Sequence, residues 1–85
     1  MDDFSTIRDV IDLWPTRAAV AVDMNNHLPE EGPRVTGEQV HKWAQKCAIP
    51  ARFHRALISA AQGRGFTVSA DDVVRLHDPA VRAVA

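Results

Sequence analysis

The sequence predicts an all-α protein, a compact bundle of about five short helices. Three observations carry that expectation. Apolar residues recur at helical spacing in five separate stretches, and most of these open on a Ser or Thr able to cap a helix and close on Pro or Gly. The chain has 85 residues, enough for one domain with a modest core. Its apolar share of 46%, rich in Ala and Val, is that of a folded domain rather than a disordered tail.

In chain order, Ser5 is the candidate cap of a first helix, with Ile7, Val10, Ile11 and Trp14 on one face and Pro15 at its end. Thr16 caps a second, short helix over 17–24, whose small residues Ala18, Ala19 and Ala21 let a neighbour approach closely. Residues 25–35 contain two prolines, a glycine and two asparagines, which make them a loop, long for a connection in a helical domain. Thr36 opens the third helix (36–47) with Thr-Gly-Glu-Gln, a capping box in which Thr36 and Gln39 satisfy each other's amides. Val40, Trp43, Ala44 and Cys47 then form one apolar face, and Ile49-Pro50 stops the helix.

Pro50 suits the first turn of a fourth helix over 51–62, with Phe53, Leu57, Ala60 and Ala61 inward and Arg52, Arg55, Ser59 and Gln62 outward. Gly63-Arg64-Gly65 ends it with a glycine for the left-handed position. Phe66–Val68 is extended. Ser69 caps a fifth helix with Asp71 and Asp72 in its first turn, Val73, Val74 and Leu76 or His77 following, and Pro79 after its end. Residues 1–79 thus make the domain, with the inserted loop at about 26–35, and 80–85 a short C-terminal tail.

Charge is distributed unevenly. Residues 1–33 hold two arginines against seven acids, residues 34–64 hold six basic side chains against Glu38 alone, and residues 65–85 hold two arginines against three aspartates. The middle third is a basic island in an acidic chain, the pattern of a surface that meets an anion, although a solvated helical face produces it too. Cys47 is the only cysteine, so no internal disulfide forms, and a lone thiol among apolar neighbours suits the reducing cytoplasm. No apolar run approaches a bilayer span, and Met1-Asp2-Asp3 is unlike a basic leader. No metal site is expected, since His41 and Cys47 lie six apart on different helical faces. No cofactor and no enzymatic activity are expected either. Asp71-Asp72 is a helix start rather than a catalytic pair, and Gly63-Arg64-Gly65 a helix stop rather than a phosphate loop.

Residues 16–46 satisfy the requirements of a helix-turn-helix. Ala21 is the small residue at the helix crossing. Asn25 stands at the turn, where a left-handed residue is needed, and Val40 and Trp43 are the inward pair of the second helix. Leu13-Trp14-Pro15-Thr16, Val40-His41-Lys42-Trp43, Ile49-Pro50-Ala51-Arg52-Phe53 and Ala60-Ala61-Gln62-Gly63-Arg64-Gly65 resemble segments of small phage and prophage regulators. These are similar to the Cro and repressor DNA-binding domains, and one sub-group is named the carph-isopro domain for its Ile-Pro segment. The resemblance covers roughly residues 6–77. It implies a lambda-repressor-like helix-turn-helix and a transcription-regulating role. One departure is large: between Asn25 and Thr36 this chain carries ten residues where the group has a tight turn.

The resemblance implies that the third helix reads the major groove through Glu38, Gln39, Lys42, Gln45 and Lys46, residue types suited to cytosine, adenine and guanine edges. Thr16, Arg17, Arg34, Thr36, Arg52 and Arg55 would hold phosphate. Gln39 has a competing role in the capping box, and Glu38 at a helix start is equally explained by the dipole. Trp14 and Trp43 are expected in the core. Useful specificity calls for a homodimer, with the fifth helix and Val73, Val74, Val81 and Val84 as its surface. The alternative is a protein-interaction module, an antirepressor or an adaptor to RNA polymerase or another regulator. It would present the acidic first helix (Asp2, Asp3, Asp9, Asp12) and Glu30-Glu31 of the loop.

Overall fold

The structure is a computed structural model and describes residues 4–78. Five α-helices follow one another with no strand among the described residues: α1 Ile7–Ile11, α2 Arg17–Asn25, α3 Gly37–Lys46, α4 His54–Gly63 and α5 Ala70–Leu76. A 3-10 turn, Ala51–Phe53, leads directly into α4. The protein is all-α, as its periodicity predicts.

Helix starts follow capping chemistry. Thr6 with Asp9, Thr36 with Gln39, and Ser69 with Asp72 each form a reciprocal capping box, and Thr16 accepts from the Ala19 amide. The first helix therefore starts one residue later than Ser5 suggests, because Asp9 sits three residues after Thr6 and closes the box with it. The fourth helix is split: Pro50 cannot supply an amide, and the chain makes one tight 3-10 turn before the α-helical ladder begins at His54.

The apolar stripes of all five helices converge on one core. Ile7, Val10, Val20, Met24, Val40, Leu57 and Leu76 are fully enclosed, and Trp14 and Trp43 are buried as expected. Trp14 meets Phe66 edge-on at 5.1 Å between centroids, and Trp43 lies 5.3 Å from Phe53. No polar or charged residue is buried among the described residues. The most extensive helix contact is α2 on α3, with α1 also against α3, and α4 against α2 and α5. Small residues set the approach of α2 to α3. Ala21 is buried, and a Cβ on Gly37 would stand 3.5 Å from the Ala18 Cα, so the two backbones nearly touch there.

Two expectations about the ends of α3 are corrected. Asn25 is not left-handed: it is the last residue of α2, and Asn26 after it is right-handed. Its side chain instead grips the far end of the loop. Asn25 Nδ2 donates to the Val35 carbonyl at 2.9 Å, and the Val35 amide donates to Asn25 Oδ1 at 2.8 Å. The nine intervening residues are pinched off at the neck, so helix pairing needs no tight turn.

Cys47 is also displaced from its expected place on the apolar face. It takes the left-handed conformation (φ 54°, ψ 39°) beyond α3 and is half-buried. Its amide donates to Ala44 and the Ala48 amide to Trp43, the paired bonds of a Schellman stop. The same stop ends α4, with Gly65 (φ 82°) in the left-handed position and bonds from Gly65 to Gln62 and Phe66 to Ala61.

The proposed dimer surface on α5 is narrower than expected. Val73 is a core residue at 1% exposure, because it faces α4, and only Val74 points outward, at 70%. Val81 and Val84 lie outside the described residues, as do Asp2, Asp3 and Pro79. No helix among the described residues is long and apolar enough to cross a membrane.

Candidate nucleic-acid interface

Helix α3 buries Val40, Trp43 and Ala44 and turns Glu38, His41, Lys42, Gln45 and Lys46 outward, all exposed. Three residues with sequence-assigned base-reading roles beside the pair Lys42 and Lys46 thus separate into two groups. Glu38 and Gln45 stand on the open face. Gln39 is half-buried and engaged: its Oε1 accepts the Thr36 amide at 2.9 Å, while its own amide donates to Thr36 Oγ1 at 3.2 Å. Thr36 is occupied by the same box.

Along one flank of α3 runs a groove of about 500 Å³ lined by Arg17, Gly37, Glu38, His41, Lys42 and Gln45. The close approach of Gly37 to Ala18 brings the start of α2 beside the start of α3, which is why Arg17 enters this wall. His41 belongs to it too. The sequence places His41 on the outward face, three residues after Glu38 and four before Gln45, and that spacing was the available signal for including it.

The basic island resolves into pinned and unpinned cations. Arg34 donates to the Asn25 carbonyl at 3.3 Å and to the Pro29 carbonyl, bracing the loop from inside. Arg64 pairs with Asp23 across α2 and α4, and Asp23 also accepts the Trp14 indole N–H at 2.8 Å. The Arg64 bond, then the indole bond, hold the Asp23 carboxyl below the usual aspartate value against the opposing effect of burial. Arg17 pairs with Asp12, which also lies 4.0 Å from Arg8.

Lys42, Lys46, Arg52 and Arg55 differ. All four are exposed, and none has an acidic partner within ion-pair distance among the described residues. Arg52 rests its guanidinium 4.9 Å from the Phe53 ring centre, an orientation that leaves its edge free for hydrogen bonds. They sit at the end of α3 and the start of the Ala51–Gly63 helical segment, consecutive elements joined by Ile49-Pro50.

That segment's start is also the exception among the helix starts: no side chain caps either the 3-10 turn or α4. Four other helix starts carry a side-chain cap, whereas this one has none and stands beside two arginines, an arrangement suited to an anionic oxygen. Of the sequence-assigned phosphate ligands, Arg52 and Arg55 are therefore brought together and unencumbered. Thr16, Arg17, Thr36 and Arg34 each already serve a cap, an ion pair or the loop.

The acidic features have their own partners. Asp9 closes the α1 capping box and Asp12 neutralises Arg17, so α1 offers few unengaged acids, whereas Glu30 and Glu31 are exposed on the loop. No cluster of three His, Cys, Asp or Glu residues suited to a metal ion occurs among the described residues. Comparison with protein-family models, with curated proteins and with solved structures finds no match to this chain.

Proposed function

We propose that this chain is a sequence-specific double-stranded DNA-binding transcriptional regulator of the phage or prophage type. In this reading the α2–α3 pair acts as the helix-turn-helix and the third helix enters the major groove. The observation that carries it is the set of four cations with no acidic partner among the described residues, Lys42, Lys46, Arg52 and Arg55, running from α3 into the uncapped start of the next helical segment. The other described arginines are engaged within the fold, Arg8, Arg17, Arg64 and Arg75 with aspartates and Arg34 with loop carbonyls, so these four open cations support an anionic partner on that side. The sequence resemblance to Cro- and repressor-like regulators supports the same reading.

The roles divide by chemistry. Glu38, Lys42, Gln45 and Lys46 on the exposed face of α3 read base edges, with His41 beside them in the same groove. Arg52, Arg55 and the amides after Pro50 hold phosphate and fix the angle of the helix. Gln39 stays in its capping box, and Arg34 stays in the loop. A module of this size contacts few bases, so two copies on a two-fold related site supply useful specificity.

Salt titration on random duplex, followed by selection of bound sequences from a random pool, tests the reading. Two phosphate-facing cations, Arg52 and Arg55, give a slope of log K against log salt of about −1.8 per protomer. The pair Arg52→Ala with Arg55→Ala removes about that slope, whereas Lys42→Ala with Lys46→Ala abolishes the enriched motif. Absence of duplex binding at any salt would sink the proposal and favour a protein-interaction module acting through Glu30-Glu31 and the loop.

A further inference from the structure

The linker between α3 and α4 is held by two histidines that bind the two backbone polar groups of the same residue. Ile49 is 3% exposed, so neither of its backbone polar groups reaches bulk water easily. Its amide donates to His77 Nε2 at 2.9 Å, across 28 residues of chain. Its carbonyl accepts from His54 Nε2 at 2.7 Å. The two imidazoles lie 4.5 Å apart, tilted by 38°.

The hydrogen bonds fix the proton positions. The Ile49 amide can only donate, so His77 Nε2 must carry a lone pair. The Val73 carbonyl can only accept, so His77 Nδ1, 2.7 Å from it, must carry the proton. His77 is therefore committed to its neutral Nδ1–H form, with both nitrogens engaged. His54 is different: its Nε2–H donates to Ile49, and a second proton on its other nitrogen leaves that bond in place.

We infer that His77 is an acid-released latch between α5 and the α3–α4 linker. A proton added at His77 Nε2 sets two N–H groups against each other and breaks the Ile49 amide bond, while the His54 bond to the Ile49 carbonyl survives. Of the charged and titratable groups around His77, two oppose its protonation and one favours it. His54 of α4 is the nearest titratable ring, and its protonation adds a cation beside His77. Lys46 of α3 lines the same groove and is already cationic. Asp78, next in the chain, is the adjacent acid.

Release has a defined structural consequence. α5 loses its tie to Ile49-Pro50, the segment that sets the start of the Ala51–Gly63 helical run. Helices α1 to α3, with no part in the latch, keep their packing. The inference rests on hydrogen-bond geometry and stands independently of any DNA-binding role.

Nitrogen-resolved NMR of the full chain, combined with native-state hydrogen exchange from about pH 7.5 to about pH 5, tests it across the ordinary histidine range. At the upper end His77 is expected as the Nδ1–H tautomer. On acidification the protection factor of the Ile49 amide falls about tenfold, the equivalent of one hydrogen bond, while amides in α2 keep theirs. His77→Gln retains an acceptor that does not titrate, and it should flatten this pH dependence. His54→Gln should leave it intact. An Nε2–H tautomer at neutral pH, or Ile49 protection that stays constant in the native chain over the whole range, would overturn the latch. Both readouts come from the unmodified protein, so the result does not depend on either variant folding.

Discussion

The two ends of α3 are joined to their neighbours by opposite strategies. The N-terminal joint is long and closed locally: eleven residues separate α2 from α3, and one side chain, Asn25, clasps both backbone groups of Val35. The C-terminal joint is short and closed from afar. A Schellman stop turns the chain at Cys47, and His77, from the other end of the domain, secures Ile49. Lengthening a loop costs little because closure entropy grows only with the logarithm of its length. What an insertion must preserve is the geometry at its neck, and a single amide side chain supplies both a donor and an acceptor for that purpose. A short joint has no slack to spare, so its geometry is fixed by backbone conformation and by a distant helix.

This contrast is broken most severely by Asn25→Ala. That change strands the Val35 amide and carbonyl in a half-buried setting, and chemical denaturation should show a loss of about 2–3 kcal/mol. The matching change at the other joint, His77→Ala, strands the Ile49 amide and takes one donor from the Val73 carbonyl at the end of α5, and should cost about 1–2 kcal/mol. A result in which His77→Ala is the costlier of the two would mean that the distant tie, not the neck clasp, dominates the positioning of α3.

Cys47→Gly should raise stability by about 0.5–1 kcal/mol. A cysteine at φ 54° carries the left-handed penalty that glycine at the equivalent place beyond α4, Gly65, avoids. Destabilisation by this change would show that the Cys47 side chain, whose Sγ lies 3.6 Å from the Ala44 carbonyl, contributes more than its backbone costs. Arg34→Ala removes exposed bonds inside the loop and should cost less than about 1 kcal/mol in thermal or denaturant melts, because the neck stays closed without it.

Acid provides the gentlest probe. The helix that supplies each clasp also carries one aspartate with a lowered pKa. Asp23 of α2 is lowered first by the Arg64 hydrogen bond, and Asp72 of α5 first by the Ser69 amide. Both ionise below the ordinary value of 3.8, so their stabilisation is complete above that value and is lost as pH falls through the lower folded values. Asp23→Asn together with Asp72→Asn should flatten the stability curve below about pH 4 and leave it unaltered near neutrality in slope.

Much of the fold was legible because its signals are local. Thr36 and Gln39 lie three residues apart, and so do Ser69 and Asp72; a capping box closes within one turn, whatever surrounds it. Val40, Trp43 and Ala44 declare the inward face of α3 by spacing alone, and Lys42 and Lys46 therefore declare the outward one. The errors fell where one residue type serves two purposes. Asparagine tolerates left-handed backbone and also carries an amide, and at Asn25 the amide prevailed because α2 continues through it and Val35 stands opposite. Cys47 continues an apolar spacing, yet the chain must leave α3 before Ile49-Pro50, and the left-handed residue of that exit falls on it. Val73 and Val74 are indistinguishable by composition; the packing of α5 on α4 made one core and the other surface.

The sequence by itself determined the class, the five helices, most of their caps and the location of a basic island, since each depends on residues within a few positions of one another. The tertiary structure decided which cations of that island are open. Arg64 meets Asp23 across 41 residues, Arg34 folds back into its own loop, and Lys42, Lys46, Arg52 and Arg55 find no acid beside them among the described residues. Charge along a chain is additive, but neutralisation needs a few ångströms of proximity, and only the packed fold sets those distances. The same holds for the linker after α3: Ile49-Pro50 announces a break, but two histidines that close on Ile49 from α4 and α5 become a clasp only when those helices are brought side by side.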